Sequence, residues 1–171
     1  RYLHWLGSRV LIRWMLQTDQ FIQLSANEHK KPILTNFPHE VSISHSHDMA
    51  AVIISEHQEV GIDLEQIHPK VWKVKERFLS QEELAQIDLS DEAAGTKRLI
   101  QYWCAKEALF KLYARGNMDF RRELLVEPGP GKDVLYGSVK KPGMHNPYPV
   151  HTYEMEGYML AYVIGRIDPT A

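Results

Sequence analysis

A single cysteine, Cys104, stands among 171 residues. Neither a disulfide nor a multi-thiolate zinc site can therefore form within the chain. The compartment this implies is a reducing one, the cytoplasm. An excess of one charge is lacking too: 20 Lys and Arg against 22 Asp and Glu leave a net −2. That balance argues against a polybasic membrane binder and against a protein that coats nucleic acid. No apolar run reaches membrane-spanning length, and nothing resembles a signal peptide. The G-x-S-x-G elbow of many serine hydrolases is missing. What is present is 44% hydrophobic content, enough for one domain with a core or for two small lobes that share one.

Residues 2–16 hold Tyr2, Leu3, Leu6, Val10, Trp14 and Met15 at helical spacing, with Arg9 and Arg13 one turn apart on another face. Residues 21–34 read as a polar connection broken by Pro32 and carrying Lys30 and Lys31. Alternation over 41–47 and β-branched residues over 49–55 predict two strands, followed by a third over 60–65. Residues 69–87 are helical in pattern, and Ser80 with Glu83 fits a capping box that opens a new helix at Gln81. Residues 89–95 read as a polar loop. From 96 to 113 the helical period is strong: Ile100, Cys104, Ala108 and Leu112 form a core row beside Ala105 and Leu109. Next to it runs the row Leu99, Trp103, Glu107, Lys111. Strands follow at 124–126, 134–139, 150–155 and 158–164, the last two flanking a Glu156-Gly157 turn. Helix-then-strand order occurs in 1–55 and again in 69–164, a weak internal echo.

The chemistry concentrates in Val60-Gly61-Ile62-Asp63-Leu64-Glu65. In a strand, Asp63 and Glu65 share a face about 7 Å apart. Two carboxylates so close repel unless a cation lies between them, and the donor set suits Mg²⁺. Gly61 leaves room for another backbone or a ligand to approach. Solvated acids on an edge strand are the plainer alternative for this pattern alone. Ser42, Ser44, His45 and Ser46 crowd hydrogen-bonding groups next to it; a zinc site at His45-Ser46-His47-Asp48 would lack a third ligand. Glu107 and Lys111 lie one helical turn apart, an ordinary ion pair or a proton acceptor with a cation at its side.

Three stretches together resemble the 4'-phosphopantetheinyl transferase superfamily, in its surfactin-type branch of two pseudo-repeated halves. They are Ser42-Ile43-Ser44-His45-Ser46, then Val60-Gly61-Ile62-Asp63-Leu64-Glu65, then Trp103-Cys104-Ala105-Lys106-Glu107-Ala108-Leu109-Phe110-Lys111. They look like the family's S-x-S-H-S, G-x-D-x-E and W-x-x-K-E-A-x-x-K patterns in order, with Arg77-Phe78-Leu79-Ser80-Gln81-Glu82-Glu83 between the last two.

The resemblance implies an α+β fold of two pseudo-symmetric lobes, each with helices packed on a small antiparallel sheet. Residues 1–58 would form an N-terminal lobe short of its first segment, and 59–171 a C-terminal lobe, with the active site in the cleft. The implied activity is of the holo-[acyl-carrier-protein] synthase type. It moves the phosphopantetheine arm of coenzyme A to a serine of an apo acyl or peptidyl carrier protein, releasing 3',5'-adenosine bisphosphate. Carried over residue by residue, Asp63, Glu65 and Glu107 would bind Mg²⁺, and Glu107 and Lys111 would be catalytic. Arg9, Lys31, Ser44, His45, Lys106 and Lys111 would contact coenzyme A, with Lys106 at the rim. Lys31 matches the basic residue of a G-K-P segment in which Lys30 stands where the family has Gly. Glu83 matches an acid sometimes tied to catalysis. A monomer is expected, with neither nucleic acid nor membrane as partner, and Lys70, Lys73, Lys75 and Arg77 are candidates to meet an acidic carrier helix.

Overall fold

The computed structural model describes residues 2–168. Its longest element is α4 (Glu92–Tyr113), 22 residues with Asp91 as N-cap, whose carboxylate accepts from Ala94 N at 2.7 Å. That cap starts the helix inside the stretch expected to be a polar loop. Gly95 is accommodated in it because the Trp72 ring fills the space beside its Cα. The predicted row Ile100, Cys104, Ala108 and Leu112 is buried as a unit, with Ala105 and Leu109.

This row packs on a five-stranded antiparallel sheet ordered β5-β9-β8-β7-β6: β5 (Glu59–Gln66), β6 (Leu124–Pro128), β7 (Val134–Val139), β8 (Tyr148–Met155) and β9 (Tyr158–Gly165). β6 to β9 are the meander the strand pattern predicts. The β8–β9 turn has positive φ at Glu156 and Gly157 (48° and 81°), as a tight two-residue hairpin requires. β5, far away in sequence, pairs with β9, setting Asp63 opposite Ala161 and Glu65 opposite Met159.

The distance between α4 and β5 is set by Gly61. A Cβ at this position would lie 1.9 Å from Ala108 O and 2.8 Å from Leu112 N, both backbone atoms. Gly61→Ala must therefore push the helix off the strand. The expected cost is about 3 kcal/mol, the upper end for overpacking because no side chain can swing aside. A urea melt checks it, and an unchanged midpoint would show that the two backbones do not meet this closely.

Between β5 and α4 the chain runs through a 3-10 turn (Pro69–Lys73), α2 (Lys75–Phe78) and α3 (Gln81–Ala85). The capping box at Ser80 and Glu83 is formed in both directions.

The N-terminal part is α1 (Tyr2–Met15), a short hairpin of β1 (Leu24–Ala26) and β2 (Pro32–Leu34), and a longer one of β3 (Glu40–Ser46) and β4 (Met49–Ser55). The β1–β2 hairpin replaces the expected connection. Asn27 Oδ1 builds its turn by accepting from His29 N and Lys31 N. Lys30 takes φ +66° in that turn, so it adopts the left-handed conformation that the family's glycine would supply without strain.

α1 forms as expected, but its predicted apolar row faces outward from Leu3 to Met15; the Tyr2 side chain lies outside the described residues. Leu3 and Trp14 are each 77% exposed, whereas Ile12 is buried with Ile22, Leu34 and Val41. The β3–β4 hairpin packs against the Ile12 side, and helical spacing alone does not tell which of two apolar rows will meet it. Among the described residues no helix is long and apolar enough to cross a membrane.

Candidate functional site

β3 lies along the free edge of β5. Ser42, Ser44 and Ser46 share one face of β3, and each hydroxyl accepts from an alternate β5 amide. Ile62 N lies 3.1 Å from Ser42 Oγ, Leu64 N 3.2 Å from Ser44 Oγ, and Gln66 N 3.3 Å from Ser46 Oγ. Serine oxygens thus take the place of strand carbonyls at an edge that would otherwise bury unpaired N–H groups. Two of them also donate to the acids: Ser44 to Asp63 Oδ1 at 2.9 Å and Ser46 to Glu65 Oε2 at 3.0 Å. The density of serines was legible in the sequence; their partners, about twenty positions further on, were not.

α4 brings the other two groups. Lys111 Nζ donates to Asp63 Oδ1 at 2.7 Å, to Ile62 O at 3.0 Å and to Ser44 Oγ at 3.1 Å. Glu107, one turn earlier, has its carboxyl pushed up from 4.5 to about 7. Burial is the largest cause, followed by the negative charge of Asp63; Lys111 opposes, and Glu65 adds to the rise. Glu107 therefore feels the charge of both β5 acids. Cys104, on the same helix, donates to Met159 O at 3.4 Å, and burial first, then Asp63 and Glu65, raises its thiol well above the usual range. It is a core residue and not a nucleophile.

A hard divalent cation fits this group on two counts. Asp63 Oδ2 is buried without a hydrogen-bond partner while Oδ1 is fully engaged. The donors are carboxylate oxygens whose mutual repulsion a cation would relieve. The acids do not stand as a finished cage: among the described residues no three His, Cys, Asp or Glu gather closely enough to enclose a metal. The Lys111 ammonium lies on Asp63 instead. His45, His47 and Asp48 form no such group either, among the described residues.

Beside Lys111 opens a cavity of about 520 Å³, walled by Lys30, Lys31, Ser42, Phe110 and their neighbours. Lys31 lines it, but its ammonium is already shared by Glu59 and by Glu40, the latter at 3.2 Å. It is thus no free phosphate ligand as expected. Ser44 is likewise committed, buried and bonded to Asp63, Leu64 N and Lys111. Arg9 donates to Trp5 O and lies over the Trp5 ring at 4.0 Å, so these contacts stay within α1; burial lowers its pKa. His45 remains exposed, its ring stacked on His4.

Lys106 is a correction. It is not at a rim but 0% exposed, and its ammonium donates to Phe78 O, Phe120 O and Glu83 Oε2, each at 2.7 Å. Burial pulls its pKa down and the Glu83 carboxylate opposes the shift. Glu83 in turn accepts from Ser80 N and Val126 N, so it fastens α3 to β6. Both charges are used up inside the fold. Beside them, on the flank of α4, Phe78 meets the Trp103 ring edge to face and Phe120 stacks on it.

The chain is similar to known proteins along most of its length. It is 28% identical to 4'-phosphopantetheinyl transferase Sfp of Bacillus subtilis (strain 168) over 166 residues, 94% of this chain and 71% of that protein. It is 26% identical to 4'-phosphopantetheinyl transferase gsp of Aneurinibacillus migulanus over 164 residues, 92% of this chain and 66% of the relative. A putative 4'-phosphopantetheinyl transferase, slr0495 of Synechocystis sp. (strain ATCC 27184 / PCC 6803 / Kazusa), is 28% identical over 117 residues, 65% of this chain and 48% of its own length. The chain thus spans 71% and 66% of the first two relatives. The profile of the 4'-phosphopantetheinyl transferase superfamily matches residues 59–154, from the start of β5 into β8. With its α+β fold and the three motifs assembled around the β5 edge, the chain belongs to the 4'-phosphopantetheinyl transferase superfamily.

Proposed function

We propose that this protein transfers the 4'-phosphopantetheine arm of coenzyme A to a serine of an apo acyl or peptidyl carrier protein, with Mg²⁺ at Asp63, Glu65 and Glu107, and releases 3',5'-adenosine bisphosphate. One observation carries the reading: α4 lays Lys111 on Asp63 of β5, with the half-buried Glu107 one turn earlier on the same helix and the second Asp63 oxygen left without a partner among the described residues. Held by these acids, Mg²⁺ would supply positive charge to the pyrophosphate under attack. Glu107 takes the proton of the attacking serine. Lys111 lies between Asp63 and the cavity, so its ammonium faces the departing phosphate. His45, exposed on β3, meets a phosphate of coenzyme A, and Arg9 adds positive charge to that side. Residues 1–58 and 59–171 act as two lobes flanking the cleft, and because both sides come from one chain the protein works as a monomer in the cytoplasm.

Similarity to relatives named Sfp and gsp supports the surfactin-type branch that the motifs resemble over the holo-[acyl-carrier-protein] synthase subtype. Exposed Lys70, Lys73 and Arg77, with half-buried Lys75, offer positive charge to an acidic carrier helix. Incubating the protein with coenzyme A, Mg²⁺ and an apo carrier, then weighing the intact carrier, tests all of this. The expected result is a carrier heavier by one phosphopantetheine arm, and only when Mg²⁺ is present. An unmodified carrier, or adenosine products released with no carrier added, would overturn the proposal.

A further inference from the structure

We infer that His4 is a positioning residue for the imidazole of His45. The inference rests on the reading above, in which His45 meets a phosphate of coenzyme A.

β3 turns its serines toward β5, so His45 points to the opposite side, toward the first turn of α1. There its ring lies against that of His4, with centroids 4.5 Å apart and planes 18° from parallel. The His45 ring makes no hydrogen bond among the described residues, so the stack is what orients it. His4 is itself held. Its Nε2 is 2.5 Å from the carbonyl of His47, and because a carbonyl only accepts, that nitrogen carries the hydrogen.

His47 belongs to the tight β3–β4 turn, where it takes φ +52°. The next residue, Asp48, accepts from the hydroxyl of Tyr158 on β9. A line of contacts therefore runs from the five-stranded sheet through the turn to His4 and ends on His45. No acidic residue stands in the first turn of α1 to compete for an anion there.

Parallel rings direct their nitrogens side by side and not toward one point, which suits an anion along the ring edges better than a metal between them. The function assigned to His4 is to remove the rotational freedom that His45 would otherwise lose on binding.

Freezing one such side chain in advance changes affinity by about three- to ten-fold. His4→Ala is expected to weaken coenzyme A binding, measured by titration calorimetry, by that factor, with the loss falling on KM rather than kcat. His4→Phe keeps a flat ring against His45 and should return affinity to within about two-fold of wild type. In a His45→Ala background the His4→Ala change should add nothing.

Three outcomes would overturn the assignment: an unaltered affinity in His4→Ala, an equal loss when His45 is already absent, or no recovery with His4→Phe. Thermal melts of each variant separate these from loss of folding. Wild-type protein that binds coenzyme A but transfers nothing would refute the proposed reaction and leave the role of His4 standing. Wild-type protein that does not bind coenzyme A would refute both.

Discussion

Replacing Glu107 by glutamine is expected to slow carrier modification by about 10²–10⁴-fold, the range for loss of a general base, and to make the protein more stable at the same time. Both effects come from one carboxyl. Folding raises its pKa from 4.5 to about 7. Between those values the native protein keeps a proton that the unfolded chain gives up. Stability therefore falls as pH climbs from about 4.5 to 7, and the whole cost is present above pH 7. A shift of this size corresponds to about 3 kcal/mol at most.

Glutamine cannot ionise and does not carry that cost. Glu107→Gln should therefore gain about 1–3 kcal/mol over wild type at pH 8 and nothing at pH 4. Urea melts at the two pH values measure it. A variant that modifies the carrier at the normal rate would end the assignment of Glu107, whatever its stability.

Lys106→Met is expected to be the most damaging single change to stability, costing about 3–5 kcal/mol. The lysine is wholly buried, and its three acceptors come from the end of α2, from α3 and from the loop before β6. Methionine fills much of the same volume but leaves the Glu83 carboxylate buried beside two carbonyls with no cation to balance it. Glu83→Gln alone breaks the same pair from the other side. The double variant should recover part of the loss, because no lone charge then remains inside. Unfolding of the three variants in urea reads the coupling directly. Additive losses would show that the two residues act independently. Since α2, α3 and α4 meet at this ion pair, its failure should also lower activity without any contact to substrate.

Much of the fold was legible in the residues. The strong period over 96–113 identified α4 and its buried row, and alternation with Gly-bearing turns identified the meander of β6 to β9. Ser80 and Glu83 announced a helix start, and Gly61 a close approach. These succeed because they depend on neighbours within one or two turns or along one strand.

The misses have a shared cause as well. α1 carried two apolar rows, and the buried one was settled by where the β3–β4 hairpin lies. The β1–β2 strands are three residues each, too short for a period, and were held by the Asn27 turn. Lys31 read as a free cation until Glu40 and Glu59 came into contact with it.

By itself, then, the sequence determined which residue types would serve the site and on which side of each element they would stand. Asp63 and Glu65 must share a strand face, and Glu107 and Lys111 a helix flank, since side-chain direction follows backbone period. Tertiary structure alone decided what each group faces. It placed three serines under the amides of β5, laid Lys111 on Asp63, and sealed Lys106 away from solvent with Glu83. A lysine in water and a lysine in a core are written with the same letter. Only packing fixes its solvation and its partners, and with them whether its charge serves a ligand or the fold.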